Sequence, residues 1–154
     1  MGKPIIGITF GCMDLFHAGH VLMLEEAKTV CDYLIVGIQT DPSIDRKSKN
    51  SPVQSIVERQ IQVDACKYVD RTIVYNSEYE LEEILKALIW DIRILGDEYR
   101  DVDFTGREYC LDRCYFNRRP HTFSSSSLRN RVVEKQHTPE TIVVPTTHLT
   151  SPIC

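Results

Sequence analysis

Residues 10–28 read FGCMDLFHAGHVLMLEEAK. His17 and His20 stand three apart, with Ala18 and Gly19 between them. Just upstream, residues 4–11 (PIIGITFG) form a short, continuous apolar run that ends in glycine. That is the pattern of a strand buried on both faces. Downstream, Val21, Leu24, Ala27 and Cys31 recur every three to four residues, the period of one helix face. The chain therefore passes from buried strand to helix across Cys12–Gly19. In an open parallel sheet, ligands bind beyond the carboxyl ends of the strands. A helix N-terminus at that place offers unpaired N–H groups and a positive dipole, which favour phosphate. Gly11 and Gly19 let the backbone turn and approach closely. Two imidazoles on one side of the first helical turn can stabilise charge growing on a transferred phosphoryl group.

Outward from this stretch the alternation continues. DYLIVGIQT (32–40) reads as a second buried strand, and DPSIDRKSKNSP (41–52), with Arg46, Lys47 and Lys49, as a polar loop. Ser55 and Glu58 form a capping box, after which Val57, Ile61, Ala65 and Tyr68 keep helical spacing. RTIVY (71–75) is a third strand. Ser77 and Glu80 form a second capping box for a helix carried by Leu81, Ile84, Leu85 and Leu88. DIRILG (91–96) is a fourth strand, TGREYCLDR (105–113) a short helix, CYFNR (114–118) a fifth strand, and SSSSLRNRVVEK (124–135) opens a last helix. Strands separated by helices long enough for crossovers imply α/β architecture: a parallel five-stranded sheet with helices on both faces. The reading places one domain at 1–136 and an extended, Thr- and Pro-rich tail at 137–154.

The bulk numbers narrow the function. The chain has 154 residues, 18 basic and 22 acidic, for a net charge of −4. That argues against a nucleic-acid or membrane-surface binder. No apolar run approaches the ~20 residues of a membrane span. The start has no signal-peptide core, so a cytoplasmic setting is expected, with six scattered cysteines as free thiols and no metal site. Between Arg113 and Arg131 stand five arginines and no acid, with Ser124–Ser127 at a helix start: a second anion-ready site.

The ordered motifs resemble the HxGH nucleotidyltransferase superfamily, and most closely its cytidylyltransferases of the glycerol-3-phosphate type. GCMDLFHAGH is similar to that family's GTFDLLHWGH. CDYLIVGIQTD is similar to its second strand, ERQ (58–60) to its helix arginine, and YVD (68–70) also matches. LGDEY (95–99) is similar to its Gly-Asp-Asp-Trp segment, and RPHTFSSSSLRNRV to its arginine followed by a Ser-Thr-Thr helix start. The likeness covers about residues 5–133. HAGHV and SPVQSIVERQ also resemble the adenylyl-transferring domain of the bifunctional heptose synthases.

The resemblance implies a Rossmann-like fold and direct nucleotidyl transfer. A phosphate oxygen of the acceptor attacks the α-phosphorus of CTP in line, and pyrophosphate leaves. It casts His17, His20, Lys47 and Arg119 as catalytic. Gly11, Cys12, Met13, Gly19, Gly96, Asp97, Thr122, Ser124, Ser125 and Ser126 would line the nucleotide, and Asp14, Asp41, Lys49 and Arg59 the acceptor. Mg²⁺ would accompany the triphosphate, the acceptor would be a small phosphorylated alcohol or sugar, and the enzyme would be a homodimer. Two other readings stand beside it: an adenylyltransferase using ATP and a heptose-phosphate-like sugar, and a nucleotide-binding module without catalysis. Cys12 and Met13 replace the family's Thr-Phe, and Leu81 stands where a substrate lysine is expected, so the acceptor departs from the family pattern more than the reaction does.

Overall fold

The computed structural model describes residues 2–110 and 112–136. The tail at 137–154, and with it the apolar TIVV patch behind the homodimer expectation, lies outside the described residues. Five strands form one parallel sheet: β1 (Ile6–Gly11), β2 (Tyr33–Gln39), β3 (Arg71–Tyr75), β4 (Ile92–Gly96) and β5 (Cys114–Asn117). Their order is β3-β2-β1-β4-β5. Between them run α1 (Ala18–Ala27), α2 (Pro42–Asp45), α3 (Ile56–Asp64), α4 (Glu78–Ala87) and α5 (Arg107–Cys110), and α6 (Ser125–Gln136) follows β5.

The strands alternate side chains between two cores. On one face Leu34, Val36 and Ile38 of β2 meet Ile94 of β4, Leu24 and Ala27 of α1, and Val63 of α3. On the other, Ile8 and Ile35 meet Tyr75, Leu81 and Leu85 of α4, Trp90 and Cys110. Gly37 is required here, because a Cβ on it would fall 2.3 Å from the Phe10 ring.

The sheet reverses its winding at β1. From β1 the chain builds outward through β2 to β3, then crosses back to lay β4 on the other side. β1 pairs with β2 along Ile6–Gly11 but with β4 at Gly7–Ile92 and Ile8–Arg93. The strands thus part company toward their carboxyl ends, which opens a crevice at the switch point.

Three local expectations need correction. Residues 42–45, expected as loop, make one helical turn. Pro42 starts it with φ preset, and Asp41 caps it by accepting from Ser43 N at 2.9 Å. On α3 the buried residues are Arg59 and Val63, while Val57 and Ile61 are 61% and 64% exposed. Arg59 rotates the helix: its hydrogen bonds to four carbonyls outweigh the burial of two aliphatic side chains. The Ser55–Glu58 capping box forms as expected. At α4, Ser77 Oγ accepts from Glu80 N, but the Glu80 carboxylate takes Asn76 N instead, at 2.7 Å.

Candidate active site

The two histidines cap α1. Gly19 N donates to His17 Nδ1 at 3.0 Å, and His17 N donates to His20 Nδ1 at 3.2 Å. The pair is a capping box built from imidazoles. An Nδ1 that accepts from an N–H carries no proton, so each neutral ring carries its proton on Nε2. Burial, reinforced by the charge of neighbouring His17, pushes His20 down to about 4. Burial and the Arg119 charge also lower His17. Both rings are therefore neutral donors at physiological pH. They lie 4.0 Å apart between centroids, and His20 stacks on Phe16 at 5.4 Å.

A strained turn leads into this cap. Met13 and Leu15 adopt positive φ, 53° and 48°, which non-glycine residues rarely do. Asp14, 5% exposed, anchors the turn. Its carboxylate accepts from Val53 N (3.0 Å), Gln54 N (2.9 Å) and Arg129 (2.5 Å). Burial would raise this carboxyl, but the Gln54 and Val53 N–H groups and Arg129 together hold it below the usual carboxylate range. Gln54 Oε1 also accepts from Leu15 N at 2.7 Å. From α6, Ser125 Oγ reaches Asp14 O (3.1 Å) and His17 Nε2 (3.3 Å). The His17 Nε2–H donates to that hydroxyl, which donates onward to the carbonyl.

Two hollows meet here. A cavity of about 680 Å³ runs from Gly11, Cys12, Met13 and His20 along the ends of β1 and β4 toward Tyr75 and Arg93. A smaller one, about 260 Å³, is shared by His17, Gly19, Arg119, His121 and Ser124. His20, Gly96 and Ser125 border both, and Ser126 borders the larger. Gly19 needs its missing Cβ, which would sit 2.8 Å from the His17 ring and 3.1 Å from that of His121.

Several expected site residues are placed elsewhere. Arg59 is 2% exposed and donates to the carbonyls of Gln54, Cys12, Gln39 and Thr40 at 2.6–3.1 Å. It braces the cavity floor rather than meeting an acceptor. Asp14 is likewise a clamp on the turn, although it borders the cavity. Asp41 caps α2, Asp97 pairs with Arg100 at 2.7 Å, and Thr122 is exposed; none of these three borders either of the two hollows. Lys47 is also exposed and off the cavity, whereas Lys49 and Arg46 border it. Arg119 borders the smaller hollow and donates to Phe123 O at 3.0 Å, tightening the loop before α6.

The model of the cytidylyltransferase-like family matches residues 8–131. The chain belongs to this family of nucleotidyltransferases. The cytidylyltransferase-like chain is 36% identical over 107 residues to the bifunctional protein HldE of Caulobacter vibrioides, covering 69% of this chain and 22% of that protein. It is 32% identical over 135 residues to HldE of Campylobacter jejuni (strain RM1221), covering 87% and 29%. It thus spans less than a third of these relatives' length. A lipopolysaccharide core biosynthesis protein from Thermoplasma volcanium superposes with TM-score 0.54 at 20% identity, covering 87% of this chain and 90% of that one. A bifunctional NMN adenylyltransferase/ADP ribose pyrophosphatase from Francisella tularensis, complexed with AMP and a manganese ion, gives 0.58 at 14%, covering 86% and 42%. These two likenesses show the shared α/β fold.

The cytidylyltransferase-like site also contains residues that the sequence reading missed. Arg129 stands four after Ser125, so both share one face of α6; that spacing was the available signal. His121 stacks on Phe123 at 5.2 Å over Gly19, and no spacing rule marks it. Among the described residues no three His, Cys, Asp or Glu side chains cluster to hold a metal ion, and no helix is long and apolar enough to cross a membrane.

Proposed function

We propose that this nucleotidyltransferase joins ATP to a sugar phosphate, giving an ADP-activated sugar and pyrophosphate. The observation that carries the reaction type is the pair of neutral imidazoles at the α1 N-terminus, their Nδ1 atoms held by backbone N–H groups. In the proposed step an acceptor phosphate oxygen forms a bond to the α-phosphorus. The bond from that phosphorus to the bridging oxygen breaks, and pyrophosphate leaves with the electron pair. His20 donates its Nε2–H to the α-phosphoryl oxygens as charge grows there, and His17 does the same once its Nε2–H turns from the Ser125 hydroxyl to the substrate. Such oriented donors act without reorganising during the reaction. Ser124–Ser126 at the start of α6 and Arg119 hold the leaving phosphates, and Lys49 adds charge from the loop after β2. Magnesium arrives with the triphosphate as part of the substrate.

Support for ATP comes from two directions. HAGHV and SPVQSIVERQ resemble the adenylyl-transferring domain of bifunctional heptose synthases, and the curated relatives described above bear the name of a bifunctional protein. The second reading, CTP with a glycerol 3-phosphate-like acceptor, is favoured by the likeness of GCMDLFHAGH to the cytidylyltransferase motif. Pyrophosphate release from each of the four triphosphates, crossed with sugar phosphates and glycerol 3-phosphate, decides between them. The expected result is release with ATP plus a sugar phosphate. Release with CTP and glycerol 3-phosphate alone would establish the second reading. Tight nucleotide binding without release for any pair would make the chain a binding module.

A further inference from the structure

The larger cavity reaches a polar cluster that the transfer step leaves unused. Arg93 on β4 is 4% exposed and borders this cavity. Its Nη1 donates to Thr105 O at 2.6 Å, while its Nε is buried without a partner. Its guanidinium lies 5.5 Å from the Phe10 ring and 5.1 Å from that of Phe104. Gly106, at φ 74°, lets the 105–106 backbone descend onto it: a Cβ there would sit 3.1 Å from Nη1. Among the described residues no carboxylate comes within ion-pair distance of Arg93. Tyr75, 2% exposed, borders the same space and packs edge-on against the Phe10 ring at 5.5 Å. Arg46 differs, because Glu78 answers its charge at 3.3 Å. Asp103 and Glu98 border the cavity too, but both are exposed and neither pairs with Arg93.

A guanidinium keeps its charge when buried, and burying it unpaired is costly. Facing aromatic rings offset part of that cost. A planar fork of donors sharing a cavity with a phenol, both against the Phe10 ring, matches an oxyanion better than a neutral hydroxyl, which would leave the charge unanswered. Arg93 belongs to the face of the sheet covered by α4, whereas the histidines start α1 on the other face. The reacting phosphate must lie at the histidines, so Arg93 meets a different part of the acceptor.

We propose that the acceptor carries a second anionic group, a carboxylate or a further phosphate, remote from its reacting phosphate, and that Arg93 with the Tyr75 hydroxyl binds it. This rests on the nucleotidyl-transfer reading of the same cavity. Calorimetric titration of the protein with hexose 1-phosphate, hexuronic acid 1-phosphate and hexose 1,6-bisphosphate tests it, because the three differ in the remote group alone. The wild-type protein should bind at least one of the two doubly anionic compounds ten-fold or more tighter than the plain sugar phosphate; which one it is separates carboxylate from phosphate. Arg93→Met should abolish that preference and leave ATP affinity unchanged. Tyr75→Phe, which keeps the ring packed against Phe10 and removes only the hydroxyl, should reduce the preference several-fold. Arg93→Lys should retain part of it. Equal binding of all three sugars by the wild type overturns the proposal, as does a preference unchanged in Tyr75→Phe and Arg93→Met. If no triphosphate releases pyrophosphate with any acceptor while the binding preference persists, the transfer reading fails and the anion subsite stands.

Discussion

The imidazoles at positions 17 and 20 perform two tasks with opposite ends of the ring. Nδ1 accepts from the open N–H groups of a helix start, which leaves the proton on Nε2; that of His17 faces the Ser125 hydroxyl at 3.3 Å. A histidine pair at such a turn raises the expectation of phosphate chemistry, but its tautomer is readable only once the cap is seen. The capping role also makes the fold sensitive to acid. The folded pKa of His20 is about 4, below the ordinary 6.5. Between those values the unfolded chain binds more protons than the folded one, so stability falls as pH drops from 6.5 toward 4. The full effect is about 3 kcal/mol at one pKa unit per 1.36 kcal/mol. His20→Asn keeps an acceptor for His17 N and does not titrate. Its urea midpoint should therefore vary less between pH 6.5 and 4.5 than that of the wild type. Parallel pH profiles for the two proteins would remove His20 as the cause.

Strands were legible because burial on both faces writes continuous apolar runs, as in DYLIVGIQT, which holds β2 from Tyr33 to Gln39. Helix starts were legible where Ser55 and Ser77 carry their caps. The rotation of α3 was not, because periodicity counts Val57 and Ile61 as core and gives Arg59 no weight. A buried arginine that satisfies four carbonyls obeys hydrogen-bond accounting rather than hydropathy. The same blindness hid what Asp14, expected to line the acceptor, does in the fold: it ties the turn after β1 to residues 53–54 and to α6. Removing its carboxylate strands two N–H groups and the Arg129 charge together. Asp14→Ala should cost about 3–5 kcal/mol, the usual loss on breaking a buried pair, as measured by chemical denaturation. Arg129→Met, which leaves the two N–H bonds in place, should cost less. Equal costs would mean that the ion pair, not the backbone anchoring, holds the turn.

The molecule assembles its site where the winding of the sheet reverses. β1 and β4 diverge beyond Ile8 and Arg93, and the turn after β1, the start of α1 and the start of α6 converge over the gap. The proposed function puts phosphoryl transfer at this convergence, with family membership, topology and the paired neutral donors as its support. The central claim is that His17 and His20 serve the transition state more than the bound nucleotide. In the proposed function the serines at the start of α6, Arg119 and Lys49 hold the triphosphate, so nucleotide affinity should largely survive the loss of one ring. An oriented donor to developing charge is worth about 3–4 kcal/mol, or 10²–10³ in rate. The direct measurement is acceptor-dependent kcat beside calorimetric ATP affinity for His17→Ala and His20→Ala, with melting temperatures to confirm that the weakened cap still folds. The account predicts kcat lower by about 10²–10³ in each variant with ATP affinity changed far less. Near wild-type turnover in either variant, or a loss confined to ATP binding, would contradict it.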